Sequence, residues 1–203
     1  MKVTRIIGEV YDANVFVLEK EDECLIIDAG ASLEKVKNIV KNKKVQGVLL
    51  THGHYDHSLY CNEYAKEFNC SIYAHKDITK TMKDKKANYS EEFIFDDFSK
   101  FVFINEDKKI KLGCFEIECF YCPGHSICCE VYKIEDQLFA GDVLFARGVG
   151  RTDLVNSDKE QMFNSLCKLE NIKFNTVHSG HDDDSTYEWQ QKNIKIFKRF
   201  LAR

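Results

Sequence analysis

The stretch THGHYDH at residues 51–57 constrains this chain more than any other feature, because it crowds three of the seven histidines and an aspartate into seven positions. Imidazoles this close together would repel one another if protonated, and a bound metal ion removes that repulsion. The stretch also begins where VQGVLLT, a short apolar strand, ends. A solvated polar loop would account for a lone histidine but not for this group, so the sequence predicts a metal site.

Three further stretches contain the candidate ligands that the stretch at 51–57 lacks. They are CPGHS with His125, FAGDVLF with Asp142 and HSGHDD with His181, and in each a glycine directly precedes the candidate. Glycine permits a sharp turn with the backbone close to the site, and residues that follow neighbouring strands converge on one edge of a sheet. The predicted metal ligands are therefore His52, His54, Asp56, His57, His125, Asp142 and His181.

The ligand types indicate which metals the site binds and how many. Neutral imidazole and carboxylate suit zinc, iron or manganese. The H-x-H pair places two imidazoles on one loop, and the D-H pair that follows reaches a second ion about 3.5–4 Å away. We therefore expect two divalent ions, with zinc as the first expectation and iron or manganese as alternatives.

Some residues near the candidate ligands carry predictions of their own. Tyr55, inside the cluster, is expected to face the mouth of the site. Arg147 is a candidate contact for an anionic substrate, whereas Arg151 is expected to pair with Asp153 and fix the loop. Asn14 is interpreted as a simple turn residue.

The remaining histidines and the cysteines are interpreted as structural. His75 and His178 are expected to be structural or surface residues, although His178 lies close enough to His181 in sequence to support that ligand. The nine cysteines sit mostly in apolar strands and are expected to be buried thiols. Cys119 and Cys122 form a C-x-x-C, but residues three apart on a strand face opposite sides and chelate poorly.

Apolar periodicity predicts a layered α/β chain. Strands are predicted at 13–19, 24–30, 45–51, 71–75, 109–122, 129–136, 137–142 and 176–181, and helices at 32–42, 59–69, 158–171 and 186–203. Ser32 is the expected N-cap of the first helix. Residues 76–100 run basic, then acidic, then aromatic. They are predicted to form an insertion that walls the site and packs part of its aromatic content in the core.

Composition and charge argue against some classes of function. The chain of 203 residues has a net charge of −4 and no basic block, so nucleic acid is not an expected partner. No apolar run approaches the roughly 20 residues of a membrane helix, and the N-terminal MKVTRIIGEVYD lacks the apolar region of a signal peptide. We expect a cytoplasmic protein with reduced thiols that acts on a small molecule. The sequence leaves its oligomeric state open.

The order H-x-H-x-D-H, a distant histidine, an aspartate and a last histidine resembles the signature of the metallo-β-lactamase superfamily. The resemblance runs from ECLIIDAG to SGHDDDST, nearly the whole chain. It implies an α/β fold, an αββα sandwich formed by a single domain over residues 1–203, with the metal site at one edge. It also implies that one ion is bound by His52, His54 and His125, and a second by Asp56, His57 and His181, with Asp142 bridging them.

Within that superfamily, GDVLFARGVGRTDL at residues 141–154 resembles the glyoxalase II-type branch. The implied function is hydrolysis of a hydroxyacylglutathione-like thioester by a metal-bound hydroxide, with Asp56 as the decisive catalytic position. Tyr132 matches a family tyrosine and is a candidate substrate contact. Two departures leave the thiol carrier open: Cys128 stands where the family has a glycine, and the chain ends about 20 residues after His181, where glyoxalase II proper continues into a helical domain.

Two alternatives remain at this stage. The same branch includes persulfide dioxygenases, which hold one iron through two histidines and an aspartate and share the R-G-x-G-R-T-D stretch found here at 147–153. A non-catalytic metal-binding protein that keeps the fold is the other alternative. The metal content distinguishes the hydrolase from the dioxygenase, because a hydrolase of this kind binds two ions and the dioxygenase binds one.

Overall fold

The layering of the molecule follows from the alternation of apolar side chains along its strands. Successive residues of a strand point to opposite faces. In β2 (Asn14–Lys20), Val15 and Val17 join a core shared with helices, whereas Phe16 and Leu18 join a core between two sheets. A strand buried on both faces needs cover on both sides of its sheet. The chain accordingly forms a single α/β domain, the αββα sandwich that the family resemblance implied.

The computed structural model describes residues 1–202. The first sheet has the spatial order β1 (Lys2–Ile7), β2, β3 (Glu23–Ile27), β4 (Lys44–Leu49), β5 (Ile72–His75) and β6 (Phe101–Ile104). The second has the order β14 (Ser185–Thr186), β13 (Thr176–Ser179), β10 (Gln137–Gly141), β9 (Glu130–Ile134), β8 (Phe115–Tyr121) and β7 (Lys108–Leu112). A small hairpin joins β11 (Leu144–Phe145) and β12 (Gly148–Val149).

Helices cover the outer face of each sheet. The helices are α1 (Leu33–Val40), α2 (Tyr55–Ser58), α3 (Cys61–Glu67), α4 (Ile78–Met82), α5 (Lys85–Asn88), α6 (Lys159–Leu169) and α7 (Tyr187–Leu201). Residues of α1 and α3 share a core with the first sheet, and residues of α6 and α7 share one with the second. Within residues 1–202, no helix is long and apolar enough to cross a membrane.

Strand direction brings the ends of several strands to one edge of the sandwich. In the first sheet β3, β4, β5 and β6 run parallel, and in the second β10 runs parallel to β13. The cluster at 52–57 follows β4, while Asp142 follows β10 and His181 comes soon after β13. Ligand sites of open α/β sheets lie outside the carboxyl ends of their strands. This edge is therefore where the candidate ligands meet.

Several local predictions can be compared with the structure. The predicted strands at 13–19 and 24–30 pair antiparallel as β2 and β3. Ser32 does precede α1, but its side chain makes no capping hydrogen bond, and its N–H donates to the Glu9 carboxylate instead. The strand β1 and the short helices were not predicted. The predicted helix at 186–203 corresponds to α7, and residue 203 lies outside the described residues.

The segment 76–100 connects β5 to β6, its neighbour in the same sheet. It contains the short helices α4 and α5, and its Phe95 and Phe98 pack against the core of the first sheet. All nine cysteines are free thiols. Cys119 lies in the core between the sheets and Cys122 in the core beneath α6 and α7, so the two face opposite sides of the second sheet.

Glu130, the first residue of β9, is a buried acid without a partner. It shares a strand face with Tyr132 and Ile134, which line the core between the sheets. Its side chain is 0% exposed, and within residues 1–202 neither carboxylate oxygen has a hydrogen-bond partner. Burial raises the pKa of Glu130 from 4.5 to about 8. The folded protein therefore holds this carboxyl as the neutral acid at neutral pH.

We expect Glu130→Gln to stabilise the protein increasingly as the pH rises from 5 to 8. The unfolded carboxyl loses its proton near pH 4.5 and the folded one near 8, so the folded state binds more protons in that window. The wild-type free energy of unfolding must then fall as the pH rises. The variant should exceed wild type by about 1 kcal/mol at pH 5 and about 4 kcal/mol at pH 8. Urea unfolding at both pH values measures the difference, and a constant difference would contradict the role given to Glu130.

Candidate metal site

All seven predicted ligands meet at one edge of the sandwich. They form three overlapping groups, in each of which the candidate ligand atoms lie within 4.8 Å of one another. The groups are His52, His54 and His125; His52, His57 and Asp142; and Asp56, His57 and His181. The molecule therefore contains a His/Asp site of the kind that binds metal ions.

The short helix α2 explains how one loop delivers four ligands. The chain leaves β4 extended, and His54 still has extended backbone angles before α2 begins. Asp56 and His57 then lie on the first turn of α2 and are buried. The change from extended to helical backbone sends the H-x-H and D-H pairs toward different groups of ligands.

Hydrogen bonds orient the imidazoles of the first group. The Thr51 hydroxyl donates to Asp28 and accepts from the His52 Nδ1, with 3.1 Å between Oγ1 and Nδ1. The His125 Nδ1 donates to the Arg151 carbonyl at 3.1 Å, which leaves its Nε2 free, 3.1 Å from the His54 Nδ1. The outer nitrogens of His52 and His125 thus carry the protons, and their Nε2 lone pairs face the site.

The second ligand group consists of Asp56, His57 and His181, and Asp142 lies beside it. The His57 Nε2 lies 3.4 Å from Asp56 Oδ2, 3.4 Å from Asp142 Oδ1 and 3.3 Å from His181 Nε2. The His181 Nε2 lies 3.2 Å from Asp56 Oδ2. The other oxygen of Asp142, Oδ2, lies 3.4 Å from His125 Nε2. The same Oδ2 lies 3.7 Å from His181 Nε2, so Asp142 lies between the two groups.

Two buried atoms test whether these residues suit a cation. Within residues 1–202, the His52 Nε2 and the Asp142 Oδ1 have no hydrogen-bond partner, although His57 Nε2 is 3.4 Å from that oxygen. Buried polar atoms are nearly always paired. Both atoms are electron-pair donors directed into the cluster, so a bound cation satisfies them. The donor set fits a divalent metal.

Burial and facing charges shift the pKa values of the cluster. Burial lowers the pKa of His52 and of His54, which keeps both rings in the neutral form that binds metal. Burial alone would also lower the pKa of His57, but the facing carboxylates of Asp56 and Asp142 raise it. Burial alone would raise the pKa of Asp56, but the charge of His57 holds it below its usual range. Asp56 is therefore ionised at neutral pH.

Glycine is required where the loops approach one another. A Cβ at Gly180 would lie 2.1 Å from Asp142 Oδ1 and 2.8 Å from His57 Cε1. Gly141 has a φ of +49° and packs against the Thr51 side chain. The sequence prediction that glycine lets the backbone approach the site therefore has a steric basis at these two positions.

Asp28 is a functional residue that the sequence analysis missed. It directly follows β3, is 2% exposed and has a φ of 62°. Its carboxylate accepts hydrogen bonds from the Thr51 N–H at 2.7 Å, the Thr51 hydroxyl at 2.8 Å and the His57 Nδ1 at 2.9 Å. Burial raises the pKa of Asp28, and these donors oppose that shift. An aspartate at the end of the apolar run CLII was the available signal.

Asn14 holds the loop of His181, which is more than the turn role expected of it. Its Nδ2 donates to the carbonyls of Ser179 at 2.9 Å and Asp182 at 3.0 Å, and its backbone N–H donates to Gly180. These three hydrogen bonds tie β2 of the first sheet to the loop that carries His181.

The prediction that Tyr132 contacts the substrate is wrong. Its side chain is 0% exposed, and its hydroxyl donates to the carbonyl of Leu50 at 2.8 Å. Tyr132 lines the core between the two sheets, where no substrate reaches it. Tyr132 and Ile134 lie on the same face of β9, and that face points into the core. Its role is to join the second sheet to the end of β4.

Tyr55 and Arg147 lie at the surface around the site. Tyr55 is half-buried, packs on Phe93 with ring centroids 5.7 Å apart, and lines an open cleft of about 680 Å³. Arg147 is exposed and borders a small pocket formed with Asp182 and Asp183, beside His181. Arg147 is thus separate from the cleft that Tyr55 lines.

The remaining residues singled out by sequence have structural contacts. Arg151 forms the expected ion pair with Asp153 at 2.9 Å. His178 is buried, with its Nε2 2.6 Å from the Gln137 Oε1. His75 is buried and stacks on Tyr121 with ring centroids 4.1 Å apart.

Comparisons with known proteins agree with this geometry. The family model described as the metallo-beta-lactamase superfamily matches residues 8–181. A Bacillus subtilis protein named probable metallo-hydrolase YqgX is 30% identical, covering 98% of this chain and 99% of its own. A Haemophilus influenzae protein named hydroxyacylglutathione hydrolase GloC is 29% identical over 74% of each chain. The crystal structure of BLEG-1 B3 metallo-beta-lactamase has a TM-score of 0.86 at 25% identity, covering 97% of this chain and 99% of that one.

We expect Asp28→Asn to weaken metal binding without removing a ligand. The amide cannot accept all three hydrogen bonds, so His57 and the 52–57 loop lose their fixed orientation. Loss of such a supporting partner typically lowers metal affinity about 10–100-fold. Competition with a chromophoric chelator measures the affinity. Asp77→Asn is the matched control, because Asp77 lies 3.7 Å from the non-ligand His75, and it should leave metal affinity unchanged.

Proposed function

The chain belongs to the metallo-β-lactamase superfamily, and we propose that it is a metal-dependent hydrolase of thioesters of the hydroxyacylglutathione kind. One observation carries the proposal: the second ligand group, Asp56, His57 and His181, is complete and shares Asp142 with the first. A site with two complete groups joined by one carboxylate suits two divalent ions. We take zinc as the first expectation, with iron or manganese as alternatives.

The relatives support hydrolysis as the reaction class. The Bacillus subtilis relative is named a probable metallo-hydrolase, and the Haemophilus influenzae relative a hydroxyacylglutathione hydrolase. The second name supports a thioester as the substrate class. The stretch GDVLFARGVGRTDL at 141–154 points to the same branch.

The mechanism assigns roles to the residues of the cluster. When bound, two divalent ions supply Lewis acidity and a nucleophilic water at neutral pH. Asp142 joins the two groups, because its Oδ1 faces His57 and its Oδ2 faces both His125 and His181. Asp56 stays ionised at neutral pH, and its Oδ2 lies 3.4 Å from the His57 Nε2 and 3.2 Å from the His181 Nε2. A thiolate leaves readily, since thiols ionise near pH 8.5, so the site needs no separate acid for the leaving group.

The cleft beside the cluster suits the thiol carrier. Its volume of about 680 Å³ is within the usual range for small-molecule sites. The lining combines the aromatic rings of Tyr55 and Tyr89 with Lys85 and Lys86 on one side and two glutamates that follow in sequence. Cations and anions together suit a carrier that bears both charges, as a glutathione-like peptide does.

The test combines metal counting with turnover. We expect elemental analysis to find about two divalent ions per chain, and we expect release of free thiol from lactoylglutathione. A cephalosporin is the control substrate, because BLEG-1 is titled a metallo-beta-lactamase, and we expect thioester turnover to exceed cephalosporin turnover. One iron per chain with oxygen consumption on glutathione persulfide would overturn the proposal in favour of the dioxygenase alternative.

We expect Asp56→Ala to lower occupancy from about two ions to about one. The substitution removes a ligand from the second group and leaves His52, His54 and His125 in place. Thioester turnover should fall by orders of magnitude, because one ion cannot serve both nucleophile and oxyanion equally well. Asp183→Ala is the control, since the Asp183 carboxylate is 90% exposed and lies on the loop that carries His181. Full turnover in Asp56→Ala would exclude this mechanism.

A further inference from the structure

We infer that Tyr89 is a positioning residue, which holds the imidazole of His54 in its ligand orientation and walls the cleft next to it. The inference rests on the proposed metal site, because it concerns how one of its ligands is oriented. Tyr89 belongs to the segment 76–100, which contains none of the seven candidate ligands.

His54 differs from three other imidazoles of the site. The outer nitrogens of His52, His57 and His125 each face an oxygen that orients the ring. The His54 Nδ1 lies 3.1 Å from the His125 Nε2, so Nδ1 is directed into the site and Nε2 is the outer nitrogen. That Nε2 is buried and has no hydrogen-bond partner among residues 1–202. The outer side of a metal-binding histidine is usually held by a neighbouring group, and the group that the structure places against His54 is Tyr89.

The ring of Tyr89 lies against His54. The centroids of the two rings are 5.0 Å apart and their planes are at 78°, an edge-to-face arrangement. Such a contact packs the two rings against each other and limits rotation of the imidazole. The Tyr89 hydroxyl accepts a hydrogen bond from the Val155 N–H at 2.8 Å. The ring is therefore fixed at both ends, between a candidate ligand and the loop after β12.

The backbone of Tyr89 adopts a conformation that tyrosine rarely adopts. Tyr89 directly follows α5 with φ 61° and ψ 27°, a left-handed conformation that usually selects glycine at a helix end. A tyrosine in this conformation is strained, and such strain persists where the surroundings enforce it. The buried Asn88 enforces it, since its side chain bonds to Met82, Ser90 and Phe93. Tyr89 is thus held in place by its own segment.

The same contacts make Tyr89 a wall of the cleft. It lines the space of about 680 Å³ together with Tyr55 and Val155. Tyr55 is in turn packed by Phe93 of the same segment. A substrate that enters the cleft therefore meets Tyr89 directly beside His54, so the residue should affect both metal binding and KM.

The test uses Tyr89→Gly, because glycine relieves the left-handed strain and removes the ring. We expect Tyr89→Gly to remain folded, with thermal stability of the metal-free protein equal to or above wild type. We expect its affinity for one of two cobalt ions to fall about tenfold or more, with a changed visible absorption spectrum of the cobalt-loaded protein. Tyr89→Phe keeps the ring and should restore both the affinity and the spectrum.

Tyr11→Gly is the matched control. Tyr11 also has a positive φ of 50°, is 72% exposed and lines the same cleft, so its substitution should leave cobalt affinity and spectrum unchanged. Wild-type cobalt affinity and spectrum in Tyr89→Gly would overturn the inference. The two proposals fail separately: a wild-type protein that binds two ions but cleaves no thioester refutes the proposed function, whereas the cobalt measurements decide the role of Tyr89.

Discussion

The arrangement of the candidate metal ligands depends on the hydrogen bonds that the buried carboxylate of Asp28 accepts. This carboxylate joins the end of β3 to the loop after β4 through Thr51 and His57. Through the Thr51 hydroxyl it also determines which nitrogen of His52 faces the site. A desolvated carboxylate is costly unless its partners are in place. The four-ligand loop and the strand ends therefore adopt their arrangement together.

The site also depends on both sheets at once. The first sheet contributes the cluster at 52–57, and the second contributes His125, Asp142 and His181 from three separate loops. Further ties cross between the sheets at this edge, including Tyr132 to Leu50 and Asn14 to the loop after β13. The apolar core between the sheets and the polar cluster at its edge thus stabilise the same arrangement. Metal binding and packing of the two sheets should be thermodynamically linked.

The sequence predicted the layers and the ligand positions because both depend on local patterns. Apolar alternation determines which strands are buried, and His125 or Asp142 stands out by following such a strand. Asp28 also follows an apolar strand, but it belongs to no ligand motif, and its importance comes from Thr51 and His57, which are distant in sequence. The helices α4 and α5 are too short for apolar periodicity to detect. Tyr132 was wrongly predicted to contact the substrate, because similarity to a family residue does not show which face of β9 the side chain occupies. Its spacing of two residues from Ile134 does indicate the face that points to the core.

The position of the segment 76–100 between two adjacent parallel strands separates two kinds of evolutionary change. The segment leaves β5 and returns at β6, so its length and composition can vary while the strand pairing and the ligand loops stay the same. The wall of the cleft can therefore change within one stretch of about 25 residues while the metal ligands stay the same. The contact of Tyr89 with His54 limits that change, because an exchanged segment must still supply a group that packs on this imidazole.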